Sequence, residues 1–178
     1  MKNIHLFLWT LFITIIVILS GQKFYISNHG GSLQILNFET ANTSKVKTLL
    51  DYYSITKVNG VSLLYYVRIN TVVDFFFIVS YVSVLIMVSY SLMQKEKNIT
   101  LNNLLRFNML LAIVAGLFDV GENIILLRDI NNYLSSLPIT SAMYVSYAKW
   151  TLIAFIVTVW MVSFSLRMFS STKYRKGL

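Results

Sequence analysis

The stretch that decides the fold is Leu104 to Leu127, LLRFNMLLAIVAGLFDVGENIILL. It is apolar for long enough to cross a bilayer, which takes about 20 residues. It also carries Asp119, Glu122 and Asn123 near one end. At 100° per residue Ala112, Gly116, Asp119 and Asn123 fall on one stripe of a helix. Ala112 and Gly116 form a small-xxx-small pair, which lets a neighbouring helix come close. The polar stripe is therefore also a packing stripe, and the segment predicts a spanning helix whose acidic face is turned toward other helices.

Three further apolar runs lie outside this one, at about 6–25, 71–93 and 144–169. The second is interrupted by Asp74 and the fourth by Lys149. Of the 178 residues, 56% are hydrophobic and 12% charged; a soluble domain of this size carries about 25% charged residues. The fold class predicted is therefore all-α, a polytopic membrane protein built as a single membrane domain over 1–178. The first run has a short basic start and small residues after it, so a cleaved signal peptide competes with a retained helix. We favour the retained helix, because no A-x-A-like cleavage pattern follows.

Charge sets the expected topology. There are 15 basic and 7 acidic residues, a formal net charge of +8. The cations cluster at the ends of the runs: Lys2, then Lys95, Lys97 and Arg106, then Arg167, Lys173, Arg175 and Lys176. In a four-span arrangement all of these share one side, which the positive-inside rule makes cytoplasmic. Both termini are then expected inside and segment 26–70 outside, in a bacterial inner (plasma) membrane. The bacterial assignment rests on the Asn, Ile, Lys and Tyr bias of an AT-rich genome. The same charges fit membrane topology and anionic lipid better than nucleic acid, which is not an expected partner. With no Cys there is no disulfide and no thiolate chemistry.

Within segment 26–70, Val46, Leu49, Leu50 and Tyr53 repeat at i, i+3, i+4 and i+7. Together with Asn42, Thr43 or Ser44 as a cap they predict a short amphipathic helix over about Lys45–Tyr53, lying at the interface or capping the bundle. Asn59-Gly60 predicts a turn, and Val61–Arg68 the approach to the second span.

Charges inside spans cost several kcal/mol each and need a reason. Counted along alternating spans, Asp74, Asp119, Glu122, Asn123 and Lys149 all fall in the outer half of the bilayer. Gln22 and Lys23 lie at the outer end of the first span. Asn70, Asp74, Phe77 and Tyr81 share a face of the second span; Val145, Lys149, Leu152 and Ile156 share one of the fourth. These residues predict a polar pocket between four helices. One reading is structural: Lys149 pairs with Asp74 or Asp119 and fixes register. But one lysine does not balance Asp74, Asp119 and Glu122, so Lys23 or Arg68 helps from the rim, a carboxyl stays protonated, or a cation binds. Asp119 and Glu122 with Asp74 offer oxygen ligands to a hard cation. No His lies within a span, and only His29 lies where it could reach in; no metal site is expected, and no cofactor is indicated. Proton or ion transport is disfavoured, because Ser83, Ser89 and Ser163 alone continue a path through the inner half. The 11 Tyr, 12 Phe and 3 Trp read mainly as interfacial belt and packing, with Tyr81 set apart because it shares the Asp74 face.

The segments Asn37-Phe38-Glu39-Thr40-Ala41-Asn42-Thr43, Asp74-Phe75-Phe76-Phe77-Ile78 with Tyr81, Asp119-Val120-Gly121-Glu122-Asn123, and Lys149-Trp150 resemble a family of small, uncharacterised four-helix bacterial membrane proteins. The resemblance implies the same four spans and marks Glu39 beside Asp74, Asp119, Glu122, Asn123 and Lys149. It implies no activity. A more distant similarity, to the four-helix sterol-isomerase and sigma-2-receptor-like group, lacks that group's full acidic and His pattern and serves as analogy only.

The functional expectation is a small amphipathic or lipid-like ligand bound by Asp74, Tyr81, Asp119, Glu122, Asn123, Lys149 and Glu39. The alternatives are a membrane-embedded enzyme acting on a lipid or isoprenoid by carboxylate acid/base chemistry, and a structural or accessory subunit. A homo-oligomer is compatible with each.

Overall fold

The computed structural model describes residues 2–175, with side chains described over 4–167. Four long helices dominate: α1 (Lys2–Asn28), α4 (Leu63–Met93), α5 (Ile99–Leu134) and α6 (Met143–Arg175). Between α1 and α4 come two short helices, α2 (Ile35–Glu39) and α3 (Thr43–Ile55), and a hairpin of β1 (Lys57–Val58) and β2 (Val61–Ser62). All four long helices are apolar and long enough to cross a membrane, so the chain is an all-α, multi-pass membrane protein. The side chains of Lys2, Lys173, Arg175 and Lys176, used above to orient it, lie outside the described residues.

Consecutive long helices run antiparallel. Gln22 on α1 meets Tyr66 and Asn70 at the start of α4, Asp74 and Tyr81 on α4 meet Asn123 and Asp119 on α5, and Asn108 and Asp119 on α5 meet Ile156 and Lys149 on α6. The central pair α4–α5 carries α1 on one flank and α6 on the other. One end of the bundle holds α2, α3 and the hairpin, and is called the capped end below. The α4–α5 link lies at the opposite end.

The α4–α5 seam is as close as the small-residue stripe predicts. Ala112 and Ala115 are fully buried. A Cβ added to Gly116 would lie 2.6 Å from Val82 Cγ2, well inside ordinary carbon contact of about 3.5–4.0 Å. The stripe continues in both directions: Asn108, Glu122, Leu126 and Ile130 are buried with it.

The helices α4 and α5 extend well beyond their apolar runs at the capped end. At 1.5 Å per residue the 36 residues of α5 run about 54 Å, against a hydrocarbon layer of about 30 Å. The surplus is where the cap packs. Val46, Leu50 and Tyr53 of α3 are fully buried against Ile26, Phe38, Leu63, Val67 and Ile130, so the amphipathic helix caps the bundle. The Asn42 side chain accepts from Lys45 N at 3.0 Å and starts α3, satisfying one of the amide groups a helix N-terminus leaves open.

Two elements escaped the sequence reading. The first is the hairpin around Asn59-Gly60. Both residues have positive φ, 50° and 79°, as a two-residue hairpin turn requires. The second is α2, whose Phe38 is fully buried edge-on to Tyr53, ring centroids 5.9 Å apart.

Candidate functional site

The site is assembled from the centre outward. Lys149, on the buried face of α6, places Nζ 2.9 Å from Asp119 Oδ1 and 2.9 Å from Glu122 Oε2, both on α5. A third carboxylate, Glu39 Oε2 at the end of α2, lies 3.7 Å away. The lysine side chain is only 5% exposed. A charge so far from water is tolerable only with close partners, and this one has three. The ammonium also stands 5.2 Å from the centre of the Trp150 ring.

Around this centre the remaining residues divide the work. Tyr81 donates its hydroxyl to Asp119 Oδ2 at 2.9 Å, so Asp119 is held by a hydroxyl from α4 and an ammonium from α6. Asn123 donates to Asp74 Oδ2 at 2.8 Å, and Asp74 makes no contact with Lys149. Of the two carboxylates the sequence offered to the lysine, Asp119 is the partner and Asp74 is not. Glu122 is fully buried, with Oε2 against the Lys149 ammonium.

Glu39 reaches this layer because its backbone is pinned. Ser146, one turn before Lys149 on α6, donates to the Glu39 carbonyl at 3.0 Å, and Ser141 donates to the Ala41 carbonyl at 2.5 Å. Gln34 N donates to the Tyr53 hydroxyl at 3.1 Å. Burial pushes the Glu39 carboxyl up to about 8, with Glu122 adding to the effect and Lys149 opposing it.

The other ionisable groups considered from sequence stay outside. Arg68 and Lys23 are exposed and form no ion pair with the cluster. His29 is exposed, with Nδ1 2.8 Å from the Tyr25 carbonyl. Among the described residues no three His, Asp or Glu side chains converge on a metal position; the ammonium stands where the carboxylates meet. The hydroxyls toward the other end are individually engaged: Ser83 Oγ donates to its own helix at Val79 O, Ser89 accepts from Trp160, and Ser163 donates to Glu96.

The cluster is one wall of a cavity of about 260 Å³. Glu39, Asp74, Asp119 and Lys149 supply its polar lining; Phe12, Phe77, Leu85 and Ile153 supply its apolar lining. Phe12 of α1 stacks on Phe77 of α4 with centroids 5.6 Å apart. Because α1 and α6 pack on the central pair and scarcely on each other, the cavity lies in the cleft between them. Trp150, 47% exposed on α6, stands at that cleft and lines the cavity with Tyr81.

Phe12, Leu85 and Ile153 were not singled out from sequence, since aromatic and aliphatic residues in apolar spans carry no mark of a cavity. Asn108 was also missed, although it lies one turn before Ala112 on the packing stripe. Its amide donates to the Ile156 carbonyl at 3.2 Å, and its Oδ1 is buried without a hydrogen bond.

Comparison of the chain with family profiles, with curated proteins and with solved structures finds no match.

Proposed function

We propose that the protein binds a small amphipathic or lipid-like ligand in the cavity between α1 and α6. The head of the ligand sits among Asp74, Glu39, Asp119 and Lys149, and its tail lies against Phe12, Phe77, Leu85 and Ile153. One observation carries this reading: a cavity inside a membrane bundle, lined by both charged and apolar side chains and set in a cleft between helices. Glu122 and Asn123 act behind the surface by holding Lys149 and Asp74, while Tyr81 lines the cavity and holds Asp119.

In this reading the capped end faces outward, both termini are cytoplasmic, and the cavity sits in the outer half of a bacterial inner membrane. Counted from Arg106, Asp119 lies about 20 Å along α5 toward the cap. The basic residues Lys95, Lys97 and Arg167 at the far end favour this orientation. Cysteine accessibility tests it simply, because the chain has no Cys of its own.

Native mass spectrometry of the purified protein tests the binding. The expected result is a retained amphiphile that is lost on Asp119→Asn or Lys149→Met substitution in a folded protein. Unchanged lipid retention in folded variants contradicts the reading.

A second reading is carboxylate acid/base chemistry on a lipid or isoprenoid. The observation favouring it is Glu39, which lines the cavity and whose carboxyl burial pushes up to about 8. Turnover of a bound lipid that disappears in Glu39→Gln, while binding persists, separates an enzyme from a binding protein.

A further inference from the structure

A second cavity, about 240 Å³, lies directly toward the cap from the first. Its walls include Lys23 of α1, Asn70 of α4 and Leu36 of α2, and it shares Asp74 with the first cavity. The helical spacing places the two in line. Phe12, which lines the lower cavity, and Leu19 and Lys23, which line the upper, are separated by 7 and 11 positions on α1 and lie on one stripe. Asn70, Asp74, Phe77 and Tyr81 do the same on α4. Between Asn70 and Leu85 the groove descends about 22 Å. Going down it, an exposed ammonium (Lys23) comes first, then the carboxylates Asp74 and Glu39, then aromatic and aliphatic walls.

The charge in the carboxylate layer is unbalanced. Four carboxyl groups, Glu39, Asp74, Asp119 and Glu122, share one lysine. Lys149 is already engaged by three of them, and the hydrogen-bond partner of Asp74 among the described residues is a neutral amide. An anionic group attached directly to a tail seated below would meet the Asp74 carboxylate at this height and be repelled. A cationic group there faces carboxylates and the rings of Phe77, Tyr81 and Trp150, which suit an ammonium. Six ångströms or so higher, one helical turn up, Lys23 suits an anion.

We infer that the groove takes a zwitterionic amphiphile of defined charge order: cation next to the tail, anion outermost. This rests on the amphiphile-binding reading above and makes it more specific. It selects against the opposite order, in which a phosphate joins the tail and the amine is distal.

Two synthetic amphiphiles with the same tail and opposite order make the test. Dodecyl sulfobetaine carries the ammonium next to the chain; dodecylphosphocholine carries the phosphate there. Each is titrated below its micellar concentration into the full-length protein in nanodiscs, with dodecyltrimethylammonium as a cation-only probe and dodecyl maltoside as an uncharged one. Sulfobetaine is expected to bind at least about tenfold more tightly than phosphocholine, roughly the contribution of one favourable charge contact. Lys23→Gln, a change at an exposed position, should remove the advantage of sulfobetaine over dodecyltrimethylammonium and leave the latter unaffected. Asp74→Asn should weaken both cations. Equal binding of the two zwitterions, or tighter phosphocholine, overturns the charge order while leaving amphiphile binding intact. No binding of any of the four probes overturns both.

Discussion

Replacing Lys149 with Met removes the cation and keeps most of the side-chain volume, so it isolates the electrostatic role. The wild-type ammonium lies 2.9 Å from Asp119 and Glu122 and 3.7 Å from Glu39, in a side chain 5% exposed. Its loss leaves those carboxyl groups buried around an apolar residue. Breaking one buried ion pair by deleting one partner costs about 3–5 kcal/mol, most of it the burden of the stranded charge. Here more than one carboxylate is stranded, so the upper part of that range is expected. The same reasoning predicts rescue: the triple variant Lys149→Met, Asp119→Asn, Glu122→Gln buries only neutral groups and should recover at least about 2 kcal/mol, because removing both partners of a buried pair is far less damaging than removing one. Reversible unfolding by SDS in mixed micelles, followed by tryptophan fluorescence, gives the comparison. A single variant as stable as wild type would refute the reasoning, and so would a triple variant less stable than the single one.

Other perturbations probe other parts of the account. Gly116→Ala places a methyl 2.6 Å from Val82 Cγ2 and should destabilise by about 1–3 kcal/mol; adding Val82→Ala should recover most of that loss in the same unfolding assay. Tyr53→Phe leaves the Gln34 amide without its acceptor and should cost about 1–2 kcal/mol, measurable as a lower midpoint of thermal unfolding. For Glu39 the sign follows from its raised value of about 8. The folded state holds this proton more tightly than the unfolded chain, so the contribution to stability is complete below the ordinary carboxyl range and is lost as pH rises through about 8. Glu39→Gln should therefore match wild type near pH 5 and exceed it near pH 9, checked by unfolding midpoints across that range.

Much of this architecture is readable from periodicity alone. Val46, Leu49, Leu50 and Tyr53 mark the buried face of α3 because a helix repeats its neighbours every three and four residues, and all four are buried. Ala112, Gly116, Asp119 and Asn123 mark the α5 seam for the same reason. The meeting of Asp119, Glu122 and Lys149 follows from depth counting along antiparallel helices, together with the cost of leaving charge in lipid. What periodicity does not reach is contact set by short or irregular segments. The five residues of α2 are too few to show a repeat, yet they deliver Glu39 to Lys149. Glu39 came into view only through a family resemblance, and the reason it matters, two serine hydroxyls holding the chain at Glu39 and Ala41, is a backbone effect with no sequence pattern. The two-residue strands of the hairpin are equally short, and only their Asn-Gly turn was legible. The sequence left Asp74 and Asp119 as alternative partners of Lys149 because the depth count fixes height and not azimuth; Asp119 is the partner, and Asp74 accepts from Asn123.

The claim on which the rest depends is that side chains from separate helices meet around Lys149. Solid-state NMR of the protein in lipid, with 15N in lysine side chains and 13C in carboxyl groups, measures this directly. Lys149→Met identifies the Nζ signal. With 2.9 Å from nitrogen to the carboxylate oxygens of Asp119 and Glu122, that signal should dephase rapidly against two carboxyl carbons within about 4 Å, the geometry of charge-assisted hydrogen bonds. A Lys149 signal that shows no carboxyl carbon at that range contradicts the account.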